Sequence, residues 1–246
     1  MALIARGAPP VYFTVEELAA VGVAHAMTTR HCPGIASWSE VPSPFSGEAA
    51  RALAPAGLDL ARVAWARQVH GAGVARVGER GGFVGEADVL VTTAPGVPLA
   101  VFTADCLAVV LHAPGALAVA HVGWRGTVAG AAQAAVAALV GLGRKASEVT
   151  AAIAPSIGPC CYEVDGPVTR RFEAAYPGRW PLWARPTGAG RFMLDLWTAN
   201  DTLLREAGVR ASRIANGRLC TACRPDLLYS YRKGQHGRLV TLAALG

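Results

Sequence analysis

Short, unbroken apolar runs dominate the middle of this chain. Leu99–Phe102, Leu107–Leu111 and Leu117–Ala120 are hydrophobic at every position, and Pro114-Gly115 separates the last two. Runs of that length with turn punctuation predict buried strands. The same reasoning predicts strands over Val11–Phe13, Ala24–Thr29, Val63–Val69, Ala87–Thr92 and Val149–Ala154, with closing strands at Arg213–Ile214 and Arg238–Leu245. Ala131–Leu142 predicts an Ala/Val/Leu-rich helix stopped at Gly143. Val168–Ala175 and Leu196–Glu206 predict amphipathic helices joined by a Pro/Trp/Gly-rich loop. Thr14-Val-Glu-Glu17 has the form of a capping box, with Thr14 as N-cap of a short helix through Ala20. The Pro-, Ser- and Gly-rich segment His31–Pro55 predicts a long surface loop of the kind that borders a site.

Several runs end on groups that apolar strands seldom carry. Asp105 and Cys106 sit between the first two runs, His121 follows the third, and Gln68 and His70 close Val63–Val69. An ionised carboxylate or imidazolium is costly in a core unless it is paired or bound to metal, so such strand ends are where chemistry is sought. The turn His121-Val-Gly-Trp-Arg-Gly126 puts Arg125 and free backbone N–H groups at a helix start, which attracts anions such as phosphate.

Composition narrows the options. No repeat, low-complexity tract or linker breaks the 246 residues, which fit one domain. No apolar run approaches the roughly 20 residues that span a bilayer, so a membrane is excluded as a partner. Met1–Pro10 lacks the pattern of an export signal, which places the protein in the cytoplasm. There Cys32, Cys106, Cys160, Cys161, Cys220 and Cys223 are expected as reduced thiols. The net charge of +6 suits an anionic ligand. Only Lys145 and Lys233 are lysines, however, and the arginines are scattered, so nucleic acid is not expected.

His70, Cys106 and His121 offer two imidazoles and a thiolate from three strand ends. Their spacing is not that of a zinc knuckle, and each alone is commonly a core residue, so spacing leaves both the metal and the packing readings open. Brought together, three N/S donors suit catalytic zinc with an open fourth position, which lowers the pKa of bound water to about 7. Asp105 would then act as a general base or hold a substrate nitrogen. Cys220-Thr-Ala-Cys223 lacks a second pair at knuckle spacing and is read as a reduced pair near the surface. Cys160-Cys161 is read as packing, and His25 and His112 as structural.

Gln68-Val-His70-Gly, Ala87-Asp88-Val-Leu-Val-Thr92, Thr103-Ala-Asp105-Cys106, Ala120-His121-Val-Gly-Trp124-Arg125-Gly126, Ala154-Pro-Ser156-Ile-Gly158-Pro159, Cys220-Thr221 and Tyr229-Ser-Tyr-Arg232 with Gly237-Arg238 follow one another in that order. Together they resemble the YfiH family, also called the laccase-domain or polyphenol-oxidase family and now described as purine nucleoside phosphorylases. The resemblance implies an α+β fold in which mixed β-sheets pack face to face between helices, in α/β/β/α layers as a single domain over residues 1–246. It implies Zn²⁺ on His70, Cys106 and His121, with Asp105, Cys106 and His121 catalytic. It also implies Arg30, Gln68, Arg125 and Ser156 as substrate contacts, with Arg125 and Arg30 orienting phosphate. The implied activity is phosphorolysis of adenosine, inosine and S-methyl-5′-thioadenosine, with adenosine deamination as a second reaction, by a monomer or homodimer. Where family members show a glycine-rich segment and an Asn-Arg pair, this chain has Arg30-His-Cys-Pro-Gly34 and Glu48-Ala-Ala-Arg-Ala-Leu53, which marks His31–Pro55 as atypical.

Two other classes stay in view. In one, Cys106 and His121 form a thiol amide hydrolase, linked in bacterial members to cell-wall precursor editing. In the other, the chain is a non-catalytic basic binding module. A multicopper oxidase is not expected, because six histidines, two of them read as structural, cannot furnish a blue-copper centre plus a multinuclear cluster.

Overall fold

The apolar runs pair with one another to form two large mixed sheets. A computed structural model describes residues 3–36 and 43–246. The first sheet has seven strands in the order Leu3–Arg6, Tyr12–Val15, Val23–Thr28, Leu239–Leu245, Leu99–Thr103, Ala64–Arg67, Gly82–Glu86. The second has six, in the order Ile214–Asn216, Thr150–Ile153, Leu107–Ala113, Ala116–Val122, Val89–Thr92, Val74–Val77. A small three-stranded sheet joins Glu163–Val164, Arg191–Leu194 and Ala184–Gly188.

Strand alternation explains the layering. In Leu107–Ala113, residues Leu107, Val109 and Leu111 pack under helices Ala131–Gly141, Gly166–Ala175 and Leu196–Glu206, whereas Ala108 and Val110 face the first sheet. In Leu99–Thr103, Leu99 and Val101 face the second sheet, whereas Ala100 and Phe102 pack beneath helix Gly47–Leu53. The order is therefore helices, sheet, sheet, helix, as the resemblance implied. Both faces of each central strand are covered, which is why their sequences are continuously apolar. A fully buried Leu such as Leu111 would cost about 2–5 kcal/mol if cut to Ala.

The structure corrects several boundaries. Thr14 does not cap a helix: it lies within Tyr12–Val15 and pairs with Ile4, and helix Glu16–Ala19 starts after Val15 with no side-chain cap. The described part of His31–Pro55 is not a plain loop, since Ser46 caps helix Gly47–Leu53 by accepting from the Glu48 N–H. Residues 37–42 of that stretch lie outside the described residues. The Pro/Trp/Gly-rich loop contains the hairpin Ala184–Gly188 and Arg191–Leu194. Strands Leu3–Arg6, Val74–Val77 and Gly82–Glu86 carry no long apolar run because they are short and exposed or half-buried along most of their length.

Candidate metal centre

One buried carboxylate organises the strand ends. Asp88, just before strand Val89–Thr92, accepts hydrogen bonds from the N–H groups of Val69 (3.2 Å), His70 (3.0 Å) and Gly71 (2.7 Å). This collar holds His70 at φ +60°, a left-handed conformation that a non-glycine residue keeps only when its surroundings fix it. Asp88 also accepts from Nδ1 of His121 at 2.8 Å. An ionised carboxylate only accepts, so Nδ1 carries a proton and Nε2 is the nitrogen that meets the Cys106 sulfur.

Cys106 enters from the neighbouring strand. Leu107 pairs with Val122 in the hairpin, which puts Cys106 across from Gly123. A Cβ at Gly123 would fall 2.6 Å from the Cys106 Sγ and 3.5 Å from the His70 ring, so glycine makes room for the thiol. The donor atoms of His70, Cys106 and His121 lie within 4.8 Å of one another. The two imidazoles meet edge to face, with centroids 4.8 Å apart and planes at 82°. His121 is only 2% exposed, whereas His70 faces solvent, so the cluster is closed behind and open in front.

The charges follow from this packing. Burial alone would push the Cys106 thiol up, but hydrogen bonds and positive charge from His121 and His70 outweigh it and bring its pKa down to about 6. Burial disfavours a charged His121, yet Asp88 and Cys106 reverse that and hold it up at about 9. Asp88 stays below the ordinary carboxylate range despite burial, held there by His121 and the Gly71 N–H.

The other residues singled out from sequence divide into two groups. Asp105 adjoins the cluster at φ +90°, but its carboxylate is engaged: Oδ1 accepts from the Thr221 hydroxyl at 2.5 Å and Oδ2 from the Arg232 N–H at 2.7 Å. Gln68 gives both ends of its amide to Phe102, donating to the carbonyl at 2.8 Å and accepting from the N–H at 2.7 Å. Ser156, expected as a substrate contact, is 0% exposed and accepts from Trp197 Nε1 at 2.7 Å, so its hydroxyl belongs to the core. Arg30 donates to the Pro225 carbonyl and stacks 5.0 Å from the Tyr229 ring. Arg125 is exposed, with its guanidinium 4.3 Å over the Trp124 ring and no carboxylate partner among the described residues. His25 is a buried core residue, as expected.

Sequence reasoning missed four contributors. Asp88 and Gly123 stood in quoted motifs without a role, although a lone Asp leading an apolar run was a usable signal. Tyr162 and Arg232 border a cavity of about 240 Å³ that Trp124, Asp165, Val168 and Arg191 also line. Tyr162 is pushed above its usual range by burial and by the charge on Cys106, against the pull of Arg232, which lies 5.2 Å from its ring. The cysteines also depart from expectation. Cys160-Cys161 is not a mere packing pair, because it meets Cys220 and Cys223 with all four sulfurs within 4.8 Å of one another.

A family model described as "Multi-copper polyphenol oxidoreductase laccase" matches residues 43–246. A protein of Deinococcus radiodurans named purine nucleoside phosphorylase is 37% identical over 239 residues, covering 92% of this chain and 90% of its own. A protein named adenosine deaminase RL5, from an unknown prokaryotic organism, is 34% identical over 188 residues, 72% of each chain. The crystal structure of YlmD from Geobacillus stearothermophilus superposes with a TM-score of 0.84 at 30% identity, covering 99% of both chains. With the matching span reaching from the first sheet through the whole His70, Cys106 and His121 cluster, the chain belongs to this laccase-domain family, the family of YfiH.

Proposed function

We propose that the chain is a zinc-carrying purine nucleoside phosphorylase of the cytoplasm. It takes adenosine, inosine and S-methyl-5′-thioadenosine, and deaminates adenosine as a second reaction. The observation that carries this reading is the convergence of two imidazoles and a thiolate on a point open to solvent on its His70 side. The donors fit zinc: thiolate and imidazole are its usual ligands, three leave a fourth position free, and Asp88 is the carboxylate that orients a ligating histidine. When bound to His70, Cys106 and His121, the ion supplies Lewis acidity at the reacting centre.

The remaining chemistry falls to side chains around the cavity. Trp124 and Tyr162 offer aromatic surface to a purine, and the unpaired Arg125 guanidinium binds phosphate in charge-assisted fashion. In phosphorolysis an oxygen of hydrogen phosphate bonds to the ribose C1′ as the bond from C1′ to the base breaks, and the proton that the phosphate gives up passes to the departing base. Arg125 holds the phosphate against that carbon. Asp105 acts as a positioning residue: its two oxygens tie the Thr221 and Arg232 segments to the strand end that bears Cys106. Arg30 and Gln68 support the site through their main-chain partners.

One observation favours a second reading. Asp88, His121 and Cys106 form a carboxylate, imidazole and thiolate chain with the thiol brought down to about 6, the constellation of a thiol acyl-transfer enzyme. The two readings part in one experiment. The purified protein is incubated with adenosine with and without phosphate, and adenine, inosine and hypoxanthine are resolved. Adenine that forms only with phosphate is the expected result. No product from any purine nucleoside, together with amide hydrolysis by metal-free protein that alkylation of Cys106 abolishes, would establish the second reading instead.

A further inference from the structure

We infer that Cys160, Cys161, Cys220 and Cys223 form a second, closed zinc site that clamps the turn carrying Tyr162 to the turn carrying Thr221. The four sulfurs lie within 4.8 Å of one another, with Cys223 Sγ 3.5 Å from that of Cys160 and 3.4 Å from that of Cys161. A zinc ion with Zn–S bonds of about 2.3 Å places tetrahedral sulfurs about 3.8 Å apart. The cysteines thus already surround the volume of one ion.

The backbone brings them there. Ser156 and Cys220 form a parallel bridge, with Ser156 N–H donating to Leu219 O at 3.2 Å and Thr221 N–H to Ser156 O at 3.1 Å. The chain then turns at Gly158, whose carbonyl accepts from the N–H groups of Cys161 and Tyr162, and this delivers the vicinal pair opposite Cys220 and Cys223. The Gly158 N–H donates to the Cys220 Sγ at 3.3 Å, and the Cys223 N–H also supports that sulfur. Backbone donors aimed at sulfur are the outer shell that a metal-bound thiolate uses.

Donor chemistry selects the occupant. Four thiolates with no carboxylate or carbonyl suit zinc and exclude magnesium or calcium. Sulfurs this close leave room for one ion and none for an iron–sulfur cage with bridging sulfides. Four protein ligands leave no open position, so the site is structural. Without a cation, burial and neighbouring thiols push Cys160 and Cys161 up, Cys161 to about 11, because adjacent thiolates repel. Binding displaces the thiol protons to solvent, and the ion neutralises the sulfurs. The clamp reaches the first site through Thr221, which donates to Asp105, and through Tyr162, the neighbour of Cys161.

Metal analysis tests this, first with the cluster intact and then with two of its cysteines replaced. Protein purified under reductant is expected to carry two zinc ions, one per cluster, and Cys106→Ala is expected to keep one. A double variant, Cys160→Ser with Cys223→Ser, is expected to keep only the zinc of the first site. Cobalt added to zinc-free Cys106→Ala should give the charge-transfer absorption of a tetrahedral thiolate complex. The inference is overturned if Cys106→Ala, with its remaining thiols reduced, binds neither zinc nor cobalt. It is equally overturned if mass spectrometry of the active protein finds these cysteines joined as disulfides. Loss of the single zinc in Cys106→Ala would reject the second site and leave the first standing. A parent protein that carries a single zinc, kept in Cys106→Ala and absent from the double variant, would do the reverse.

Discussion

Among the described residues stand two clusters of soft donors, linked through Thr221 and Asp105 and built in opposite ways. His70, Cys106 and His121 stand at the ends of strands in buried sheets, backed by the Asp88 carboxylate and open in front. The four cysteines stand on two turns, two of them exposed, with backbone N–H groups rather than a carboxylate behind them. Holding a metal as proposed, the first arrangement would leave a coordination position and the second none. Mixed imidazole and thiolate donors on rigid strands suit a reacting centre, and all-thiolate donors on turns suit a staple.

The contrast is sharpest at Asp88. Asp88→Asn removes the charge that orients His121 and holds the 69–71 turn, so affinity for the first zinc should fall about 10–100-fold. The four-cysteine zinc should be unaffected. Titration against a competing chelator separates the two ions, and equal weakening of both would break the distinction drawn here.

A smaller effect separates metal from substrate binding. Arg125→Ala should raise the KM for phosphate about tenfold, the loss of one charge-assisted hydrogen bond, while both zinc ions are retained. An unchanged KM would remove Arg125 from the phosphate site.

The smallest effect comes from a histidine that belongs to neither cluster. His25 accepts from the Val15 N–H through Nε2 at 2.8 Å, and its Nδ1 meets the Val23 carbonyl at 2.9 Å. Burial lowers its pKa, although the Val23 carbonyl resists. The unfolded chain therefore binds a proton that the folded chain refuses. Its contribution to stability is complete above about pH 6.5 and is lost as the pH falls below that. Urea midpoints at pH 8 and pH 5 should differ more in the parent than in His25→Gln, and equal differences would show that the fold does not lower the pKa of His25.

The sequence was most legible where local and tertiary forces agree. Leu196–Glu206 has its predicted limits because Asp195 caps it by accepting from the Thr198 N–H, and the central strands are apolar because both their faces are covered. Thr14 misled because pairing with Ile4 draws the would-be cap into the first sheet. Ser156 lay in a resembling motif, yet its hydroxyl is spent on Trp197, forty-one residues away in sequence. The three candidate metal ligands were marked by the resemblance and by their places at strand ends. The four-cysteine cluster was not, because Cys161 and Cys220 meet only through the bridge between Ser156 and Cys220, which no local spacing encodes. Asp88 was hidden for a related reason: its four hydrogen bonds are visible only once the 69–71 turn and His121 converge on it.

Anomalous diffraction at the zinc absorption edge, from crystals of protein that converts adenosine, tests the central claim most directly. The account predicts a peak about 2.0–2.3 Å from a ring nitrogen of His70, from Cys106 Sγ and from His121 Nε2. Active crystals with no ion bridging those three side chains would contradict it.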